Sequence, residues 1–197
     1  NKPLSDKEWE RVLNHLNGKS IFESAKIMRD KYVLERDDGS KVYLAFIDED
    51  HTKNLFQVSH QTTVVGKYTN RYDVTLLVNG LPLVQIELKR RGIDIKEAVN
   101  QIMRYRKHSY NGLYHYIQTF IVSNGIDTKY FANSDKDILY SHTFFWTDED
   151  NIRITNLKDF SVTFLARDRI IKMLTKFTIL NDTDKIMMIM RPYQVYA

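Results

Sequence analysis

The sequence contains no cysteine, and glycine and proline are scarce, with seven and three residues among 197. The lack of cysteine excludes disulfide bonds and thiolate zinc sites, and it is typical of a reducing compartment. The scarcity of glycine and proline excludes a linker-rich or collagen-like chain. No hydrophobic run reaches the roughly 18–20 residues that a membrane helix needs. We therefore expect no membrane association and, by default, a cytoplasmic protein.

The chain does contain enough apolar side chains for a core, and it concentrates basic charge in one segment. Hydrophobic residues make up 43% of the sequence, which suits one globular domain. The formal net charge is +4, but the segment from Lys89 to Lys107 holds seven basic residues against two acidic ones. The net charge of this segment is therefore +5, which leaves −1 for the rest of the chain. A basic segment of this kind suits contact with phosphates. Charge alone, however, favours an ordinary solvated helix face.

Local patterns predict alternating helices and strands. Ser5 and Ser20 are each followed three residues later by glutamate, which predicts capping boxes at the start of two helices. Further helices are predicted over 94–108 and 159–175. Strands are predicted over 32–35, 42–47, 55–65, 71–78, 81–89, 116–122, 130–131 and 186–190. A hairpin, a helix and a further strand at the centre predict an α/β protein with a mixed central β-sheet flanked by α-helices.

The central hairpin places three charged groups near one end. Strict alternation puts Glu87 and Lys89 on the polar face of the second strand, and Asp73 on the polar face of the first. A plain two-residue turn at Asn79-Gly80 would set Asp73 against the wrong face of its partner, because a slip of one residue turns every side chain over. We therefore predict an odd loop or a bulge. A three-residue loop would place Asp73 opposite Gln85.

Two carboxylates on one face repel each other unless a divalent cation neutralises them. Oxygen ligands that leave room for water and phosphate suit Mg²⁺, with Asp73, Glu87 and the main-chain carbonyl of Leu88 as candidate ligands. Such an ion polarises a phosphate and activates a bound water, while Lys89 orients that water or stabilises the charged transition state. A Glu-X-Lys strand by itself is more often a solvated ion pair. The partner Asp73 and the basic segment that follows favour the site.

At these residues the sequence resembles a known family. Asp73, thirteen intervening residues and Glu87-Leu88-Lys89 resemble the core of the PD-(D/E)XK restriction-endonuclease-like nucleases. Gln101-Ile102-Met103-Arg104-Tyr105 matches the Q-X-X-X-Y motif of their RecB-type branch. The segments over about 70–134 and 187–197 are similar to the N-terminal nuclease region of the motor (R) subunit of type I restriction enzymes. Little before residue 60 can be matched.

This resemblance implies roles for individual residues. Asp73 and Glu87 are the implied metal ligands, Lys89 the catalytic lysine, and Gln101 and Tyr105 helix residues that support the site and its DNA. A step of about 100° per residue agrees, since it puts Gln101 and Tyr105 together on one edge of the apolar arc of their helix. Without the strand motif, an ordinary surface glutamine and a core tyrosine would be preferred. The expected DNA contacts are Arg90, Arg91, Gln101, Arg104, Tyr105 and Lys107.

The resemblance also implies a larger machine. Residues 1–180 are expected to form the endonuclease domain and 181–197 a connector into a helicase domain, in which Gln194 contacts the adenine of ATP. The first residues lack an initiator methionine, so we expect the chain to come from something longer. No ATPase activity is expected of this chain alone. The implied partners are DNA and the methylation and specificity subunits of a restriction complex.

Two other functions remain open from the sequence. One is a repair nuclease of the RecB branch, and the other is a non-catalytic DNA-binding or coupling module that needs no metal. The sequence also leaves open whether an acid of the first helices, Glu8, Glu10 or Glu23, completes the metal shell, and how many ions bind.

Overall fold

A computed structural model describes residues 3–65, 69–108 and 110–197. Its helices are α1 (Asp6–Leu16), α2 (Ile21–Arg29), α3 (Ile95–His108), α4 (Leu157–Phe164), α5 (Arg167–Thr175) and α6 (Pro192–Val195). Its strands are β1 (Lys31–Glu35), β2 (Lys41–Ala45), β3 (Phe56–Val65), β4 (Thr69–Val78), β5 (Leu81–Leu88), β6 (Thr119–Ser123), β7 (Thr128–Ala132), β8 (Phe144–Thr147), β9 (Arg153–Ile154), β10 (Thr178–Asn181) and β11 (Ile186–Ile189). None of the described helices is long and apolar enough to cross a membrane.

The centre of the protein is a seven-stranded sheet in the order β3-β4-β5-β6-β7-β8-β9. Strands β5 and β6 run parallel, and the other neighbouring pairs are antiparallel. A parallel pair requires a crossover connection, and α3 lies in the chain between β5 and β6. Strands β1–β2 and β10–β11 form two separate hairpins. The expected mixed α/β, restriction-endonuclease-like fold is confirmed.

Apolar side chains are buried on both faces of this sheet. The larger cluster joins α1, α2, α4 and α5 to one face, and Trp146, Phe160 and Phe164 are among its fully buried members. The smaller cluster joins α3 to the other face and contains Ala98 and Ile102. Central strand β5 is buried on both sides, so any polar side chain it carries is either bonded or poised for a ligand.

The first two helices begin as the sequence predicts. Ser5 and Ser20 each accept a hydrogen bond from the backbone N–H of a glutamate three residues later, and that glutamate bonds back to the cap. Glu8 also holds Arg36 at 3.0 Å. Because these glutamates satisfy orphan donors of the first turn, they serve local folding.

The single helix predicted over 159–175 is wrong. The chain forms α4 and α5 instead, separated at Leu165 and Ala166, where Ala166 has the extended backbone angles φ −54° and ψ 136°. Phe160 and Phe164 of α4 and Ile170 of α5 are all fully buried. The bend allows the apolar faces of both helices to reach the same core. Strands β8, β9 and β10 lie in segments for which the sequence predicts no strand.

The C-terminal residues pack against the body of the protein. Hairpin β10–β11 joins residues on both sides of position 180, the domain limit expected from the sequence. The Tyr130 hydroxyl donates to the carbonyl of Met190 at 2.8 Å. The ring of Tyr196 lies 5.5 Å from that of Trp146. The division into an endonuclease domain and a connector stays a prediction, and Met190 and Tyr196 contact strands β7 and β8 of the sheet.

Candidate functional site

The β4–β5 hairpin combines a two-residue turn with a bulge. Asn79 and Gly80 have φ values of 52° and 83°, and Val78 pairs with Leu81 across the turn. The register then shifts, because Leu77 pairs with Pro82 but Leu76 pairs with Val84. The extra residue restores the match between the polar faces, so the predicted bulge is confirmed.

The same register corrects the predicted partner of Asp73. Thr75 pairs with Gln85 and Val74 with Ile86. One further step places Asp73 directly opposite Glu87 and not opposite Gln85, because the hairpin has a two-residue turn with a bulge and no three-residue loop. The Asp73 Oδ2 atom accepts a hydrogen bond from the Leu88 amide at 2.8 Å, which draws the carboxylate toward the end of β5.

Strict alternation along β4 is wrong at Tyr72. The pattern predicts that Tyr72 and Val74 share an apolar face, whereas Tyr72 packs in the cluster under α3 and Val74 packs against the opposite cluster. The β3–β4 pairing is interrupted at Gln61, whose φ is 52°. This irregularity lies opposite Asp73 in the β3–β4 register and locally breaks the period of two.

Glu87 is buried, and one of its carboxylate oxygens has no hydrogen-bond partner in the part of the chain that the structure describes. Its residue surface is 1% exposed, and Oε2 accepts no hydrogen bond from any residue that the structure describes. Burial, followed by the charge of Asp73, raises the pKa of the Glu87 carboxyl to about 7, and Lys89 opposes this rise. An orphaned buried carboxylate oxygen beside a second carboxylate is the environment that a bound cation would stabilise.

A chain of polar contacts runs from Glu87 to α3. The Lys89 Nζ atom lies 3.3 Å from Glu87 Oε1 and donates to Gln101 Oε1. Gln101 Nε2 donates to the Tyr105 hydroxyl, which donates in turn to the main-chain carbonyl of Arg71 at 3.3 Å. Strands β4 and β5 and helix α3 are thereby joined through one set of side chains.

Helix α3 presents these groups because of its amphipathic pattern. Asp94 accepts from the Lys96 amide at 2.8 Å near the helix start, and Ala98 and Ile102 are fully buried on the sheet side. Gln101 is half-buried, and Tyr105 is 8% exposed. The predicted location of Gln101 and Tyr105 at one edge of the apolar arc is confirmed. Residues four apart on a helix face the same neighbour, which here is the end of β5.

A cleft of about 540 Å³ opens between the end of β5 and α3. It is lined by Leu88, Lys89, Arg90, Ile93, Glu97, Asn100, Gln101 and Arg104. Arg90 and Arg104, which are both exposed, belong to this lining. Arg91 is exposed next to Gly125, and Lys107 lines a different cavity and pairs with Asp137 at 3.5 Å. The structure therefore brings two of the expected basic side chains into the cleft and leaves Arg91 and Lys107 outside its lining.

The donor set at this site consists of two side-chain carboxylates. Among the described residues, no group of three or more His, Cys, Asp or Glu side chains is arranged to hold a metal ion. Glu8 and Glu23 are engaged in their capping boxes. Asp73, Glu87 and the neighbouring Leu88 backbone supply only oxygen ligands, which fit a hard cation that keeps several waters.

Two polar residues near the site escape the sequence analysis. Gln85 is fully buried and accepts from the Thr75 hydroxyl at 2.8 Å, directly before the Asp73–Glu87 pair. Asn124 is 9% exposed and bonds to the chain between β5 and α3. The available signals were a glutamine inside the buried strand β5 and an Asn-Gly pair directly after the buried strand β6.

Comparison with known proteins identifies a family for this chain. The family described as "Type I restriction enzyme R protein N terminus" matches residues 1–137, more than half of the chain. That span includes β4, β5 and α3.

Individual relatives extend the match beyond residue 137. The endonuclease subunit of type I restriction enzyme SsaAORF53P from Staphylococcus saprophyticus is 59% identical over 196 residues, which cover 99% of this chain and 21% of the relative. The EcoprrI endonuclease subunit from Escherichia coli is 40% identical over 208 residues, covering 100% of this chain and 66% of the relative. A putative enzyme subunit from Methanocaldococcus jannaschii, MjaVIIIP, is 28% identical over 73% of this chain and 15% of its own length. The chain spans about a fifth of the length of the staphylococcal relatives.

Proposed function

Because the chain belongs to the family of type I restriction enzyme R protein N termini, we propose that it is a Mg²⁺-dependent endonuclease domain that hydrolyses phosphodiester bonds of double-stranded DNA. The observation that carries this proposal is the convergence of Asp73 and buried Glu87, with Lys89 beside them. Lys89 also lines the cleft that contains Arg90 and Arg104.

Asp73, Glu87 and the Leu88 carbonyl would hold the cation. When bound, Mg²⁺ supplies Lewis-acid polarisation of the scissile phosphate and lowers the pKa of a coordinated water. Residues of the chain itself would provide the other contributions to catalysis. Glu87 would bind the ion as a carboxylate, because the positive charge would offset the burial and the repulsion from Asp73 that raise its pKa.

Lys89 is held in place for a catalytic role. Its ammonium group lies between Glu87 and Gln101, so its orientation is fixed before DNA arrives. From there it orients the attacking water and stabilises the extra negative charge on the phosphate in the transition state. Gln101 and Tyr105 hold Lys89 from α3, and this preorganisation is retained because Tyr105 is anchored to the Arg71 carbonyl.

Arg90 and Arg104 would contact the DNA backbone at the cleft. Phosphate contacts of this kind position a duplex without reading its sequence, so cleavage here would show little base preference. We propose that recognition of a DNA sequence belongs to a specificity subunit, in a complex that also contains a methylation subunit. In the full-length protein, ATP-driven translocation would precede cleavage, and Gln194 would contact adenine. In this structure the Gln194 side chain accepts from the Arg191 amide at 2.9 Å in a short terminal helix.

The test is cleavage of plasmid DNA by the full-length protein assembled with its partner subunits. Asp73→Ala and Lys89→Ala should each lower the cleavage rate by at least about a hundredfold, while ATP hydrolysis continues. Asp168→Ala and Lys172→Ala, which remove an exposed ion pair of 3.8 Å on α5, are the matched controls and should cleave normally. Cleavage at the wild-type rate by either site variant would contradict the proposal and favour a non-catalytic DNA-binding module.

A further inference from the structure

The loop between β5 and α3, residues 89–94, forms one wall of the cleft. It contributes Lys89, Arg90 and Ile93 to the lining. Inside the loop, the Ile93 amide donates to the Arg90 carbonyl at 3.2 Å, and Gly92 has a φ of 88°. A loop this short and exposed needs fixed points at its ends if its side chains are to keep one position.

One end of the loop is bonded to the last residue of β6 and the other to the turn that follows β6. At the first end, the Lys89 amide donates to the Ser123 carbonyl at 2.8 Å. At the second end, the Asn124 side-chain Nδ2 atom donates to the Ile93 carbonyl at 2.9 Å. The first tie is a backbone bond that any residue could make, whereas the second depends on one side chain.

The Asn124 amide also organises its own turn. Its Oδ1 atom accepts from the backbone N–H groups of Ile126 at 3.1 Å and Asp127 at 2.8 Å. The backbone N–H of Asn124 donates to the Asp127 carbonyl at 3.2 Å, which closes the turn. Two donors on one side and a carbonyl on the other fix the side-chain orientation, because only an amide has an acceptor and a donor at these two positions.

We propose that Asn124 is a positioning residue for the cleft, which holds Ile93 and Arg90 where the DNA backbone binds. This inference rests on the proposed nuclease function. The position of Lys89 does not depend on Asn124, because Lys89 is held separately by Glu87, Gln101 and the Ser123 carbonyl. Loss of the Asn124 donor therefore changes the phosphate-binding wall and leaves the metal ligands and the catalytic lysine in place.

The substitution Asn124→Asp isolates this donor. A carboxylate still accepts from Ile126 and Asp127 but cannot donate to the Ile93 carbonyl, which it faces with a second oxygen. Asn133→Asp is the matched control: Asn133 is also buried, donates to the Ile117 carbonyl at 2.8 Å and accepts from the Ser134 amide at 2.9 Å, but it does not line the cleft.

The experiment is a double-mutant cycle on DNA cleavage by the assembled full-length protein. Asn124→Asp and Arg90→Ala should each slow cleavage about tenfold, and the double variant should be no slower than either, because both remove the same contact. The Mg²⁺ concentration for half-maximal cleavage should stay unchanged. Independent effects of the two substitutions, or an equal loss in Asn133→Asp, would overturn the positioning role.

Hydrogen exchange tests the anchor without relying on catalysis. In Asn124→Asp, amides of residues 89–96 should exchange at least about tenfold faster, while those of Ile126 and Asp127 remain protected. Unchanged exchange over 89–96 would overturn the inference. A wild-type protein that never cleaves DNA would instead contradict the proposed function, and the exchange result would still decide whether Asn124 holds the loop.

Discussion

Replacement of Glu87 by glutamine should stabilise the metal-free protein at alkaline pH. The Glu87 carboxyl has a pKa of about 7 in the folded protein against an ordinary value of 4.5, chiefly because of burial and then the charge of Asp73. A difference of this size corresponds to about 3 kcal/mol. Glutamine resembles the neutral acid in shape and carries no charge, so Glu87→Gln avoids this cost.

The sign of the pH dependence follows from proton binding. Between pH 4.5 and about 7 the folded state retains the proton on Glu87 while the unfolded state has released it. The unfolding free energy of the wild type therefore falls as pH rises through this window and levels off above it. Near pH 4.5 the wild type and Glu87→Gln should be almost equally stable, and the full difference should be present at pH 8.

Urea-induced unfolding in EDTA at pH 5 and pH 8 measures this difference. Glu10→Gln, at an exposed position of α1, is the control for loss of a carboxylate without burial and should show no comparable gain. Magnesium should reverse the order by raising the Tm of the wild type at pH 8 far more than that of Glu87→Gln. A Glu87→Gln protein no more stable than wild type at pH 8 in EDTA would refute the reasoning.

Three further substitutions test other parts of the site. Tyr105→Phe removes the hydroxyl that accepts from Gln101 and donates to the Arg71 carbonyl, so cleavage should slow about tenfold in a plasmid assay; an unchanged rate would show that the contact is dispensable. Gly80→Ala should lower the free energy of unfolding in urea by roughly 1 kcal/mol, because a side chain is strained at a φ of 83°. An added Cβ meets nothing within 4 Å, so no clash contributes; an unchanged stability would argue against the left-handed turn. Arg104→Ala should lower the slope of log Kd for DNA against log salt by about one, which a slope equal to wild type would contradict.

Much of the local structure was predictable because its causes lie within a few residues. The capping boxes at Ser5 and Ser20 depend on residues three positions apart. The bulge in the β4–β5 hairpin was predictable for a different reason. Two carboxylates and two apolar faces had to match across one turn, and an even loop alone cannot achieve this. The sequence showed that an extra residue was needed but not that Leu83 would be it.

Other features depend on distant partners and escaped the sequence. Tyr72 departs from strict alternation because the pairing of β3 with β4 is interrupted at Gln61, a residue that no pattern within β4 reveals. The break between α4 and α5 follows from the shape of the shared core. The chain of contacts from Glu87 through Tyr105 to the Arg71 carbonyl spans three elements. The motif could therefore name its members but could not supply their order or the Glu87 oxygen that has no partner among the described residues.

The packing of the C-terminal residues gives the protein a built-in optical reporter. Of its two tryptophans, Trp9 is 52% exposed on α1, while Trp146 is fully buried beside the rings of Phe164 and Tyr196. In a Trp9→Phe background all indole fluorescence therefore comes from Trp146, which is buried between Phe164, Tyr196 and the guanidinium of Arg169. Release of Tyr196 would admit water to this indole and shift the emission to longer wavelength. The docking of this segment can thus be followed in real time without a label.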